Sequence, residues 1–476
     1  MNIAMLLDMA ADGIGVRVAM GSRDGGLTYA GLRERAQAVA SHVEATDAHT
    51  VALVDETSPL VPAALFGAAW AGVSYAPLNY RLPEEARHEL LERLRPAAVA
   101  DPTWLALPSA SCPYPDDPPR PAVLLFTSGT SAEPKAAVLE HDQLLAYQLN
   151  TIEFASAGDD EAVLLSVPPF HIAGVTAILS STYAGRRIVP LARFTAEAWL
   201  ELATTERVTH AFVVPTMLAR IVHALEADPA ARPPSLHHLA YGGARMPAPV
   251  LERALALLPD TGFVNAYGLT ETSSTVSVLG PDDHRAAVAS NDPTLRARLA
   301  SAGIPVPGIE VRIVDPDGAD LAPGELGEIL LRGAQVSGDY VGRDSHRDAE
   351  GWLRTGDKGR LDGDGYLFVE GRGDDTIIRG GENLAPAEIE DALLSHPAVS
   401  GAAVVGIPDE EWGERVVAMV SLRVGATADE DQLRRFVHDH LGTLKTPERI
   451  AIRDELPQTA TGKILRRQVR ADLDDG

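Results

Sequence analysis

Over about the first 370 residues the chain alternates β-rich stretches with Ala/Leu-rich stretches of helical periodicity, and this alternation restricts the fold more than any other feature. "LTYAGLRERAQAVASHV" reads as a helix from Tyr29, "TVALVDE" as a strand, and "RHELLERLRPAAVADP" repeats helix then strand. Strands joined by helical crossovers lie parallel, so an α/β domain with largely parallel sheets is predicted. Between Gly303 and Gly371 the texture changes to short strands separated by "PDG", "APGELG" and "DGDGY", turn signals that suggest a meander or barrel-like β-region. Near Asp374 a second unit begins. "PAEIEDALLSHPAV" and "DEDQLRRFVHDHL" read as helices, "VSGAAVVGI" and "RVVAMVSLRV" as strands, which makes a small mobile α+β domain. The boundaries predicted are 1–373 for the large domain and 374–476 for the small one.

The 476 residues, 45% hydrophobic and 23% charged, are enough to bury a large core. A net charge of −26 argues against an extended nucleic-acid surface, so a polyanionic ligand must meet a few local cations. Cys112 is the only cysteine, which excludes an internal disulfide and a Cys-based zinc cluster, and no HExxH occurs. The stretch Val61 to Leu78 approaches membrane-spanning length but carries two Pro and two Gly; a buried helix followed by a short strand is the better reading, with no integral membrane segment. "MNIAMLLDMAADG" lacks a basic leader, so a cytoplasmic protein is expected.

The apolar run Ala122 to Phe126 leads straight into "TSGTSAEPKAAVLEH". A loop at the C-terminal end of a strand is where α/β proteins bind ligands. It is not a Walker A loop, because Pro134 stands where the second Gly belongs and Ala136 where the metal-binding hydroxyl belongs. Even so, Thr127, Ser128, Gly129, Thr130 and Ser131, followed by Lys135, can offer N–H and O–H donors and one cation to a triphosphate. Taken alone, such a run is more often a surface turn.

Further motifs follow in order: "PPFHIAG", "AYGGARMP", "NAYGLTETSS", "GELGEILLRG", "RTGDKG", "GRGDDTIIRGGENLAPAEIED" and "LPQTATGKILRR". Together with the loop they resemble the acyl-adenylate-forming (AMP-binding) superfamily, in its acyl-CoA and aryl-CoA synthetase branch, over nearly the whole chain. The resemblance implies an ATP-dependent carboxylic acid:CoA ligase. Such an enzyme converts acid and ATP to acyl-AMP and pyrophosphate, then passes the acyl group to the CoA thiol. The alternative it leaves open is an acyl-AMP ligase that loads the phosphopantetheine of an acyl carrier protein. ATP, Mg²⁺ and coenzyme A are the implied cofactors.

The resemblance also implies site roles. The loop from Thr127 to Lys135 would hold the pyrophosphate, though Ala132 and Ala136 stand where glycines are usual. Thr270 would be a phosphate ligand, Glu271 the magnesium ligand, and Tyr267 would stack on adenine beside Asn265; a hard carboxylate oxygen suits Mg²⁺. Gly242 and Gly243 would pass closely beneath the base. Asp357 and Arg372 would hold the ribose, Asp374 would be the hinge, and Lys463 would bridge carboxylate and α-phosphate. Gly380, Gly381, Glu382 and Trp412 would belong to the face that accepts CoA.

His171 resembles the aromatic gate residue of acyl- and aryl-CoA ligases. At the next position amino-acid-activating domains usually carry an Asp to pair with the substrate ammonium; here it is Ile172, so an amino acid is a poor substrate. The pocket floor is expected to include Ile172, Pro215, Thr216, Tyr241, Ala266 and Ser273. No anchoring cation for a second carboxylate is evident, which favours a small-molecule carboxylic acid with a neutral aliphatic or aromatic tail.

Overall fold

The computed structural model describes the chain apart from residues 128–133, 373–374, 376, 380–381, 410–411, 460–462 and 475–476. Among the described residues the alternation becomes two parallel-rich sheets, one of nine strands and one of six. In the larger sheet the parallel run His210–Val213, His238–Gly242 and Gly262–Leu269 pairs residue by residue, Tyr241 lying beside Asn265 and Gly242 beside Ala266. The last of these strands then turns back antiparallel onto Ser274–Leu279. That reversal places "YGLTETS" at a strand end. The Val61 to Leu78 stretch is the helix Leu60–Trp70, buried along its whole length, and the strand Ser74–Pro77. A helix apolar all round belongs in a core.

The turn-rich region forms a four-stranded antiparallel meander: Ile309–Val314, Gly327–Gly333, Leu353–Leu361 and Leu367–Arg372. Between its second and third strands, Asp339–Tyr340 leaves to pair with Lys135–Leu139 at the edge of the six-stranded sheet. The meander is thereby tied to the strand that follows the Thr127 loop. The C-terminal unit packs the helices Pro386–Ser395, Glu430–Leu441 and Arg466–Asp474 on a sheet whose long central pair is Val399–Asp409 and Gly413–Leu422. Its core of Ile377, Ile389, Leu393, Val404, Ala418, Leu433 and Val437 is separate from those of the rest of the chain. Among the described residues no helix is long and apolar enough to cross a membrane.

Candidate active site

A cleft of roughly 1460 Å³ runs between the C-terminal unit and the rest of the chain. Asn265, Ala266, Tyr267 and Gly268 line it from one strand, Asp357 and Arg372 from the meander, and Lys463 from the C-terminal side. Residues distant in sequence meet here because three sheets end at one place.

Asp357 is among the residues that line the cleft and is only 6% exposed. Arg372 is its partner across the antiparallel ladder, with Nε 2.9 Å from Oδ1, and the Tyr267 hydroxyl donates to Oδ2 at 2.7 Å. Below it, the Thr355 hydroxyl accepts from the Asp357 N–H at 3.0 Å, and the Thr355 carbonyl accepts from Arg372 at 3.3 Å. Burial pushes the Asp357 carboxyl above the usual carboxylate range, opposed by Arg372, by the Tyr267 hydrogen bond and by Lys463. Lys463 is held below the ordinary lysine value, first by loss of water in the cleft and then by Arg372, against the attraction of Asp357 and Asp375. Its backbone is fixed on a short two-stranded turn: Gln458 bridges Ile464, the Thr459 N–H donates to the Lys463 carbonyl at 2.7 Å, and the Lys463 N–H donates to the Thr459 hydroxyl at 3.0 Å.

Thr270 and Glu271 lie on the tight turn that reverses the edge of the large sheet. Thr272 organises it: its hydroxyl accepts from the Leu269 N–H at 2.9 Å and donates to the Ser274 carbonyl at 2.7 Å. Ser273 follows in the left-handed region at φ 56°, and Gly268 passes so close to Ser274 that a Cβ would stand 2.0 Å from its carbonyl oxygen. The Glu271 carbonyl accepts from the N–H groups of Ser337 and Gly338 at 2.8 and 3.2 Å, and the Tyr340 hydroxyl donates to its carboxylate. The ammonium of Lys135 lies 5.8 Å from the Tyr340 ring centroid, and Thr127, its cross-strand partner, approaches the Tyr340 hydroxyl. Thr127, Lys135, Glu271 and Tyr340 therefore form one cluster. Ser128, Gly129 and Thr130, named from the sequence with this loop, lie outside the described residues, as do Asp374, Gly380 and Gly381.

His171 precedes the helix Ile172–Ala184, its ring 4.6 Å from that of Phe170. Burial, followed by the nearby Arg81 charge, lowers it to about 4, so the imidazole is neutral near pH 7. Its Nε2 makes no hydrogen bond. Gly242 runs so close to the next strand that a Cβ would lie 2.2 Å from the Ala266 carbonyl oxygen, and Gly243 takes φ 79°.

Of the residues assigned to the pocket floor, Pro215, Thr216 and Ala266 line the cleft. Ile172, half-buried, packs against the main core beside His171. Tyr241 and Ser273 correct the expectation. Tyr241 is fully buried and its hydroxyl meets His284 Nε2 at 2.9 Å, because strand alternation turns it to the face opposite Gly242. Ser273 is also fully buried, its side chain turned inward by the left-handed backbone. Glu382 lies on the C-terminal sheet and Trp412 just before its strand Gly413–Leu422, with Arg379 5.5 Å from the indole centroid, and neither lines the cleft. Asn265 lines it, its amide donating to the Ser301 carbonyl at 2.8 Å. Sequence reasoning missed Tyr340 and Thr355, whose roles rest on strand pairings that leave no local signal.

Comparison with known proteins finds relatives over nearly the whole chain. A family model described as "AMP-binding enzyme" matches residues 7–110 and 100–341, and one described as "AMP-binding enzyme C-terminal domain" matches residues 388–463. A feruloyl-CoA synthase of Amycolatopsis sp is 34% identical, with 94% of each chain covered. A fatty acid–acyl-carrier-protein ligase of Streptomyces coeruleorubidus is 33% identical, covering 93% of this chain and 91% of that one. Among solved structures, the o-succinylbenzoate CoA synthetase of Bacillus subtilis in complex with its acyl-adenylate intermediate superposes with a TM-score of 0.83 at 28% identity, covering 98% of this chain and 97% of that one. The same protein with ATP and a magnesium ion gives a TM-score of 0.81 at 28% identity over 97% and 98%.

Proposed function

The chain belongs to the AMP-binding enzyme family, and from that premise we propose that it is an ATP-dependent carboxylic acid:CoA ligase working through an acyl-adenylate. A carboxylate is a poor electrophile. Attack of its oxygen on the α-phosphorus of ATP forms a mixed anhydride and releases pyrophosphate; attack of the CoA thiol on the acyl carbon then forms the thioester and releases AMP. Both partners of the first step are anions, so positioning and charge neutralisation carry most of the catalysis.

The observation that carries the reading is the meeting of Lys463 with the Asp357–Arg372–Tyr267 group across one cleft, with the Glu271 charge near enough to act on Asp357. In this reading Asp357 and Arg372 hold the ribose, and Gly242, Gly243, Asn265 and Tyr267 frame adenine. Thr127, Lys135 and Thr270, with Ser128, Gly129 and Thr130, meet the phosphates. Lys463 offsets the charge where carboxylate and α-phosphate approach. Glu271 would hold Mg²⁺ through a hard carboxylate oxygen, the Tyr340 hydroxyl donating to the other. The ion would draw charge from the leaving pyrophosphate. Neutral His171 borders the entry for acid and thiol. Asp374, between the two domains 1–373 and 374–476, serves as the hinge, and Gly380, Gly381, Glu382 and Trp412 form the face that meets pantetheine after the small domain turns.

The acid is a small-molecule carboxylic acid with a neutral aliphatic or aromatic tail, since Ile172 removes the partner an ammonium would need. The net charge of −26 supports the absence of a nucleic-acid partner, and the cytoplasm is the location proposed. A carrier-protein acceptor is the second reading, favoured by the acyl-carrier-protein ligase among the relatives. A pyrophosphate-release screen over aliphatic, aryl and dicarboxylic acids, with CoA, with a carrier protein and with neither, tests both. Release with no acid overturns the ligase reading; turnover with carrier protein alone selects the second.

A further inference from the structure

Lys463 reaches the cleft from the C-terminal unit, so whatever grips that unit also sets where the lysine stands. One such grip lies outside the nucleotide residues. Arg245 follows Gly243 and Ala244 after the strand His238–Gly242, and its guanidinium spans to the helix Pro386–Ser395. Nη2 donates to Asp391 Oδ2 at 2.6 Å, and Nη1 donates to the Ala387 carbonyl at 3.2 Å. Both side chains are partly shielded, at 37% and 23% exposure. A second contact is looser: Arg423 stands 4.0 Å from Glu226, which is also claimed by Arg253 at 3.2 Å.

The grip passes inward through the neighbouring residue. Glu390 takes both terminal nitrogens of Arg466, at 2.6 and 2.9 Å, and also accepts from the Val404 N–H at 2.8 Å. Arg466 donates in turn to the Val404 carbonyl at 2.7 Å. A forked, well-satisfied pair of this kind holds its members rigidly. Arg466 lies three residues after Lys463, and Ile464 between them is bridged to Gln458. Arg245 is thus connected to the lysine through one helix and one fixed ion pair.

We propose that the Arg245–Asp391 clasp is the positioning device of the adenylation step, holding the C-terminal unit where Lys463 faces Asp357 and Arg372, and that it opens before thiol transfer. The inference rests on the adenylation reading above. Neither residue touches the reacting atoms; they act through the placement of Lys463. Losing the clasp shifts the population away from the adenylating arrangement without removing any group from the site.

The test measures the two half-reactions separately, in single turnover, on Arg245→Ala, Arg245→Lys and Asp391→Asn. Acyl-AMP formation should fall on the order of tenfold in Arg245→Ala and Asp391→Asn, with KM for ATP little moved. Thioester formation from supplied acyl-AMP should hold or quicken, and Arg245→Lys should recover part of the loss because its charge still reaches Asp391. Parallel loss in both steps, or no loss in either, overturns the clasp while leaving the ligase reading standing. Wild-type protein that forms no acyl-AMP from any acid overturns both.

Discussion

Arg372 and Asp357 face each other across an antiparallel ladder, the guanidinium Nε 2.9 Å from one carboxylate oxygen while the Tyr267 hydroxyl holds the other at 2.7 Å. The carboxylate is therefore aimed before any ligand arrives. Asp357→Asn keeps the shape and removes the charge. A hydrogen bond to a charged group contributes about 1.5–3 kcal/mol, so KM for ATP should rise roughly 10- to 100-fold. An ATP titration with an unchanged KM would take Asp357 out of the nucleotide site.

Glu271→Gln removes the one charge that the turn at Thr270–Thr272 presents beside Lys135 and Tyr340. Adenylation should drop on the order of 10²-fold or more, with a higher magnesium requirement. Pyrophosphate exchange measured across a magnesium series checks this; wild-type rates at ordinary magnesium would place the metal elsewhere.

Lys463→Ala should abolish acyl-AMP formation yet largely spare thioester formation from supplied acyl-AMP, because the carboxylate charge it offsets is already consumed in the anhydride bond. Single-turnover assays of each step decide the point. Equal losses in both would mean that Lys463 supports the fold rather than the first reaction.

His141 links stability to pH. It is 3% exposed, its Nδ1 accepts from the Ile3 N–H at 3.1 Å, and burial, then the N-terminal charge, lowers it to about 4. Because the folded value lies below the ordinary 6.5, the unfolded chain binds more protons between those limits. The stability tied to neutral His141 is complete above about pH 6.5 and is lost as pH falls toward about 4. Urea unfolding at about pH 7.5 and about pH 5 should differ by up to about 2 kcal/mol from this group, and His141→Leu should flatten that difference. An unaltered pH slope in the variant would dismiss the effect.

Gly242→Ala should cost at least about 2 kcal/mol, since the new Cβ would overlap the Ala266 carbonyl oxygen of the paired strand. Chemical denaturation gives the number, and a stability equal to wild type would show that the two strands can part without cost.

The sequence by itself determined the alternation that builds parallel sheets, the buried helix and strand within Val61 to Leu78, and the residues whose chemistry is carried by their own short motifs: Thr127, Glu271, Asp357, Lys463. Thr127 at a strand end and Glu271 on a short turn are legible because such positions offer their side chains wherever the motif folds, whereas Asp357, buried within the strand Leu353–Leu361, is legible only from its motif. Which partners they meet was decided only by tertiary structure. Tyr340 reaches Glu271 across 69 residues and Tyr267 reaches Asp357 across 90, through strand pairings with no local signature. The direction of Tyr241 was hidden for a related reason: a strand presents alternate residues to opposite faces, and which face becomes cleft depends on what packs against the other. Arg245 reads as one surface arginine among many until the helix Pro386–Ser395 is brought beside it, because an ion pair between units exists only in the arrangement that joins them.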